Sequence, residues 1–288
     1  MSEITPATLE QAFRTACLSE LEALKPGNVH IFADGHGMVV QDFVRSAEAA
    51  STVIVGRDLS VGQRIMAAVN STWDAVGCNT NLGIILLSAP LLHAALNGRQ
   101  TDLRARLVET LHGLTIEDAR QAYQAIVRAS PAGLGESEHH DVHAAPDVTL
   151  LEAMAEAQHR DRIAWQYAHD FNDIFAFGVQ RYRETLSRWQ WSAWATTSVY
   201  LGFLARFPDT HIARKFGSDM ALQVQQQAQI HDDALLAMEN PKLYQRTLLD
   251  FDNELKFRGI NPGTSADLTV ATLLAVTLEN MVTGRALS

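Results

Sequence analysis

Cysteine is nearly absent from this chain, with only Cys17 and Cys78 among 288 residues. No disulfide framework is expected, and a reducing compartment, the cytoplasm, is the natural location. Basic clusters are missing as well. The 23 lysines and arginines are outnumbered by 33 acidic residues, a net charge of −10, and no segment is basic enough to carry a nucleic acid. No apolar run comes near the roughly 18–20 uncharged residues of a membrane helix. The opening MSEITPATLEQAFRTA has neither a basic start nor an apolar core to mark it for export. No membrane partner is expected. Strand signals are also lacking, both alternating β-branched runs and the Val/Ile runs of parallel sheets. STVIVG, at 51–56, continues an alanine-rich helical run and reads as its end.

What remains is helical. Hydrophobic residues make up 47% of the chain, ample for a sizeable core. Apolar residues recur at helical spacing over 5–24, 39–56, 61–76, 82–97, 115–129, 148–158, 160–186, 189–206, 218–238, 240–257 and 265–283. The pattern predicts an all-α fold, a single-domain multi-helix bundle over 1–288, and the glycine-bearing breaks in it add the expectation of helix N-termini converging on a central cleft. ASPAGLGESEHHDVHAAPDV, at 129–148, resists helix assignment, as does ALKPGNVHIFADGHG, at 23–37.

Three glycine-bearing breaks stand out. In LSELEALKPGNVH, Glu20 and Glu22 end a helix before Lys25-Pro26-Gly27-Asn28. Proline biases Lys25 toward extended geometry, glycine frees the backbone for a close approach, and lysine suits phosphate. A C-cap with a solvated lysine is the plain alternative. In WDAVGCNTNLG, Asn79, Thr80 or Asn81 is placed to cap the apolar helix beginning near Gly83, and its N-terminus is a ready anion site. An ordinary buried cap reads the same residues equally well. In GINPGTSADL, Gly263 precedes the capping candidates Thr264 and Ser265, and Asp267 falls in the first turn. There it either holds a metal or complements the helix dipole.

Histidines His139, His140 and His143 cluster with Asp141, and His-Asp pairs recur at His169-Asp170 and His231-Asp232. They lack zinc-type spacing, so oxygen-ligated Mg²⁺ suits the chain better. Arg162, Gln166 and Asp170 share one face of a predicted helix. Arg206, Arg214 and Lys215 form the densest local group of cations, enough for one triphosphate. Trp189, Trp191 and Trp194 read as core rather than as a base-stacking box.

Taken together, LKPGNVH, GCNTNLGIILL, SPAGLGESEHHDVH, LLEAMAEAQHRDRIAWQY and GINPGTSADL resemble the triphosphoribosyl-dephospho-CoA synthase family, in order along nearly the whole chain. The resemblance implies an all-helical enzyme using ATP and Mg²⁺. It joins the ribose C1′ of ATP to the 2′-hydroxyl of dephospho-CoA and releases adenine. It points to Glu20, Lys25, Gly27, Asn79, Thr80, Gly83, Gly263, Ser265, Ala266 and Asp267. Departures accompany it. Asn81-Leu82 replaces a His-Lys pair, His30 stands where the family often has aspartate, and Glu20 lies one residue nearer to Lys25. The chain is more similar to a divergent archaeal and one-carbon-metabolism branch, where the acceptor differs and a transferase or kinase-like step toward tetrahydromethanopterin or methanofuran is the alternative.

The expected assignment makes Glu20 the base and Asp267, with Asp34 or Asp42, the metal ligands. Lys25, Gly27 and Asn28, the helix starts at 79–83 and 263–267, and secondarily Arg214 and Lys215, would hold the triphosphate. A metal-dependent helical phosphohydrolase and a non-catalytic nucleotide-binding protein are the rival classes. A homodimer is the one assembly kept open.

Overall fold

The computed structural model describes residues 4–35, 37–130 and 141–284. Among them every regular element is helical, and two isolated bridges, His30 to Ala33 and Gly35 to Met38, are the only β-type pairings. Helices α1 (Pro6–Glu22), α2 (Val40–Ile54), α3 (Val61–Val76) and α4 (Leu82–Asn97) come first. Next are α5 (Leu103–His112), α6 (Ile116–Ala129) and α7 (Leu150–Ala157). Most start on caps legible in the sequence. Thr5 precedes Pro6 in α1, and the boxes Ser60/Gln63, Thr115/Asp118 and Thr149/Glu152 open α3, α6 and α7.

Helix α8 (Arg162–Ala168) leads through a π-helical turn, Asp173–Gly178, into α9 (Val179–Trp189). Helices α10 (Ser192–Arg206), α11 (Thr210–Phe216) and α12 (Ser218–Ala237) follow. A 3₁₀ turn, Pro241–Tyr244, enters α13 (Gln245–Phe257), and α14 (Gly263–Thr283) closes the fold.

The predicted helix over 160–186 is broken. Asp170 and Phe171 adopt φ of 51° and 54°, and Phe171 N donates to Gln166 O at 2.8 Å. Hydrophobic spacing runs through the break because Phe171, Ile174 and Phe175 all remain buried, so periodicity alone could not reveal it. Asp170 therefore leaves the face that Arg162 and Gln166 share. Those two instead converge on Asp173, at 2.7 Å and 2.6 Å. Helices α5 and α11 were not anticipated: one is short and its stripe is only Leu103, Leu107 and Leu111, while the other has seven residues.

Two apolar clusters make the core. One gathers α1 to α9 around α4 and α14, and the other joins α10, α12 and α13 beside the start of α14. Helix α4 buries thirteen of its sixteen residues and is apolar all round, as a central helix must be. By length and composition α14 also passes for a membrane span, yet 56% of its apolar window is buried against protein. Its contacts with α1, α4 and α10 account for that hydropathy.

Candidate active site

A cavity of about 680 Å³ opens between α1, α4, α6, α7, α11 and α14. Glu20 and Asn28 reach it from the end of α1 and the turn beyond. Asn79, Thr80, Asn81 and Gly83 reach it from the start of α4, and Gly263, Ala266 and Asp267 from the start of α14. Arg214 and Lys215 add positive charge from α11. Lys25, Gly27, Ser265, Asp34 and Asp42 do not line it.

Helix α4 begins without a side-chain cap on Asn81. Of the three polar residues ahead of Leu82, Asn79 caps that residue's amide and the other two are committed elsewhere. Asn79 Oδ1 accepts from Leu82 N at 3.1 Å, Thr80 Oγ1 donates to Ser46 Oγ at 2.6 Å, and Asn81 Nδ2 donates to Thr72 Oγ1 at 3.1 Å. These bonds hold the turn open, so the positive end of α4 faces the cavity. Gly83 is required there by Asp267: a Cβ on Gly83 would lie 2.0 Å from Asp267 Oδ2. The Asp267 carboxyl is pushed well above its ordinary pKa by burial and by the charges of Asp209, Glu20 and Asp161, with Arg214 opposing.

Lys25 lies inside the protein rather than in the cavity. Its Nζ donates to Glu20 Oε1 and, at 3.0 Å, to Asn28 Oδ1. Burial lowers the pKa of Lys25 and raises that of Glu20, each against the attraction of the other, so Glu20 meets the cavity as a carboxyl of enhanced basicity. Gly27 makes its close approach to protein, not ligand. At φ +82° a Cβ would sit 2.8 Å from Pro262 Cδ. Its N–H donates to Asp252 Oδ1 at 2.8 Å, and Asn28 Nδ2 donates to Asn261 Oδ1 at 2.7 Å. The turn after α1 is thereby fastened to the turn before α14. Asp252 also binds His30 Nε2 at 3.2 Å and Lys256 Nζ at 3.1 Å.

Asp209, which sequence reasoning missed, organises the other wall. Its Oδ1 caps α11 by accepting from His211 N and Ile212 N at 2.9 and 3.2 Å. Its Oδ2 accepts from both Ser265 N and Ser265 Oγ at 2.8 Å. One buried carboxylate thus caps two helices, and Ser265 faces Asp209 instead of a phosphate. The signal available in the sequence was Asp209-Thr210 after Phe207-Pro208, an N-cap signature. Asp161 acts likewise: it caps α8 through Ile163 N, and Arg214 Nη1 donates to its other oxygen. Arg160 and His211 line the cavity as well.

The remaining candidates serve structure. Asp34 Oδ1 accepts from Val40 N at 2.9 Å and Asp42 Oδ2 from Val39 N at 3.0 Å, so both cap the start of α2 and neither joins Asp267. His231 stacks on Phe251 and bonds Tyr244, while Asp232 pairs with Arg181 at 2.9 Å. Arg206 stacks over Phe177. Trp189 donates to Met238 O, and Trp191 packs edge-on to the buried Trp194. His139 and His140 lie outside the described residues. Among the described residues, no group of three or more His, Cys, Asp or Glu side chains is placed to hold a metal ion.

Cations, an open helix end and two carboxyls of raised pKa, gathered around one cavity in a helical fold, have the form of a nucleotide-using transferase. The family profile described as ATP:dephospho-CoA triphosphoribosyl transferase (CitG) matches residues 6–285. The chain belongs to that family, whose members are pentosyltransferases that move the triphosphoribosyl group of ATP to dephospho-CoA. A crystal structure from Archaeoglobus fulgidus, provisionally described as a triphosphoribosyl-dephospho-CoA synthase, is similar in fold. The TM-score is 0.62 at 20% identity, over 83% of this chain and 98% of that one. Among curated proteins none matches.

Proposed function

We propose that the cavity is the transfer site and that its walls divide the work. Glu20 is the base. Burial raises its proton affinity against the opposing pull of Lys25, which makes the carboxylate a stronger base, and Lys25 fixes its orientation. It takes the proton of the acceptor hydroxyl as that oxygen attacks ribose C1′. The C1′–N bond breaks, and its electron pair leaves with adenine. The open end of α4, with Arg214 and Lys215, holds the triphosphate. Glu20, Asp141 and Asp161 each accept a hydrogen bond, whereas Asp267, beside Gly83, and Glu156, on the α7 wall, accept none among the described residues; of those two, Asp267 is the one next to the open end of α4. One carboxylate next to a triphosphate seat fits Mg²⁺, which is usually held by one or two carboxylates plus substrate phosphates. When bound, that ion would neutralise phosphate charge. Asp267 also favours positive charge developing at C1′.

The observation that carries this reading is convergence: Glu20, Asn79 to Gly83, Arg214 and Asp267 come from distant segments to one cavity. The test is incubation with ATP, Mg²⁺ and dephospho-CoA, with adenine followed by chromatography. Adenine and triphosphoribosylated acceptor should form in equal amounts, and Glu20→Gln should lose both. ADP or phosphate in place of adenine would sink the proposal. Chelation should stop turnover without lowering the melting temperature of the ligand-free protein, because the ion arrives with the phosphates.

A further inference from the structure

The wall that α6 and α7 give the cavity is largely apolar, formed by Ile126, Leu150, Ala153, Met154 and Ala157, with Glu156 its one charged side chain. Set into it is Tyr123, only 5% exposed, whose hydroxyl has no hydrogen-bond partner among the described residues. A buried tyrosine normally finds one. The two other buried tyrosines do: Tyr167 Oη donates to Leu86 O and Tyr200 Oη to Pro26 O, both at 2.6 Å. An unsatisfied buried hydroxyl carries a desolvation cost in the ligand-free protein, one that a ligand acceptor would relieve. The ligand that suits an apolar slot with one donor is flat, apolar on its faces and acceptor-bearing at its edge. A triphosphate cannot occupy it. A flexible amide-containing chain would bring several polar groups to a wall whose only polar side chains are Tyr123 and Glu156.

We propose that the α6–α7 wall is the seat of a purine base, whose ring nitrogen accepts a hydrogen bond from the Tyr123 hydroxyl. The inference rests on the nucleotide-transferase reading and adds the position of the base to it. Burial, with Asp147 and Asp141 nearby, raises the phenol pKa and keeps the group protonated as a donor.

Free adenine is the probe, because it has no phosphate and ignores the cationic wall. Calorimetry on Tyr123→Phe should show adenine affinity weakened about 3- to 10-fold, the share of one hydrogen bond, with inorganic tripolyphosphate affinity unchanged. The same variant should melt roughly 2–5 °C higher without ligand, because the unsatisfied hydroxyl is gone. A purely structural tyrosine would move stability the other way. Ala153→Phe, which fills the slot, should abolish adenine binding and spare tripolyphosphate. Adenine binding that is absent in the wild type, or unaffected by Tyr123→Phe, overturns the proposal while tripolyphosphate binding keeps the transferase reading alive. Adenine binding that depends on Tyr123 without adenine release from ATP leaves the purine seat standing and overturns the reaction instead.

Discussion

Helices α4 and α14 begin on similar sequence, NTNLG and NPGTS, and use it in opposite ways. The start of α4 takes one side-chain bond, Asn79 Oδ1 accepting from Leu82 N, and faces the cavity. The third residue of α14, Ser265, gives both its amide and its hydroxyl to Asp209. A glycine-rich approach therefore marks a helix start and says nothing of what satisfies it. That is decided by a residue 56 positions away, beyond any local motif.

The largest effect should come from the buried Lys25–Glu20 pair at the end of α1. Lys25 is fully buried on Glu20 and Asn28, so Lys25→Ala strands a carboxyl in the interior. Removing one partner of a buried ion pair costs about 3–5 kcal/mol. Denaturant unfolding should show that loss, with catalysis lost alongside. A Lys25→Ala protein as stable as the wild type, with only weaker nucleotide binding, would return Lys25 to the cavity wall.

Next comes the cap that sets α14 apart. Asp209→Ala removes two helix caps, each worth up to about 2 kcal/mol, so a loss of about 2–4 kcal/mol is expected. Asp209→Asn should recover part of it, since one amide oxygen can serve α11 or α14 but not both. At α4 the corresponding change, Asn79→Ala, removes a single cap bond, to Leu82 N, and should cost only about 1 kcal/mol. Equal losses at the two starts would erase the distinction.

Glycine separates the helices in activity rather than stability. Gly83→Ala drives a Cβ to 2.0 Å from Asp267 Oδ2 and must displace the carboxylate. A shift of about 1 Å in such a group costs on the order of 100-fold in turnover. Gly263→Ala meets only the His211 side chain, nearest at Nδ1, 2.9 Å, and no carboxyl of the site. Its loss should be clearly smaller in the same steady-state assay.

How much of this was legible follows the range of the interactions. Helices α3 and α4 run over 61–76 and 82–97 as their stripes and caps indicate, because those signals are local. The convergence of Glu20, the α4 start and Asp267 was suggested by family motifs, not by periodicity. Asp34 and Asp42 looked like ligands because a carboxylate near a loop reads the same whether it caps a helix or awaits a metal. Lys25 looked solvent-facing because nothing in LKPGNVH records that Pro262 and Leu255 close over the turn. The break at Asp170 was hidden because Phe171 stays in the core while its backbone turns left-handed.

The smallest effect should lie in a proton at the α4 start. Asp267 has its pKa raised by burial and by Asp209, Glu20 and Asp161, so the folded state holds a proton that the unfolded chain gives up near 3.8. That contribution to stability is complete below pH 3.8 and is lost as pH rises through the elevated folded value. In Asp267→Asn the loss cannot occur. The variant should match the wild type in acid, exceed it modestly above neutrality, and be inactive throughout. The gain is modest because Asp267 is partly open to the cavity, where solvent screens its neighbours. Tripolyphosphate with Mg²⁺ should reverse the order, stabilising the wild type and not the variant. If the two proteins kept the same pH profile with and without that ligand, Asp267 would be an ordinary ionised carboxylate, and the open helix end would need another explanation for its glycine.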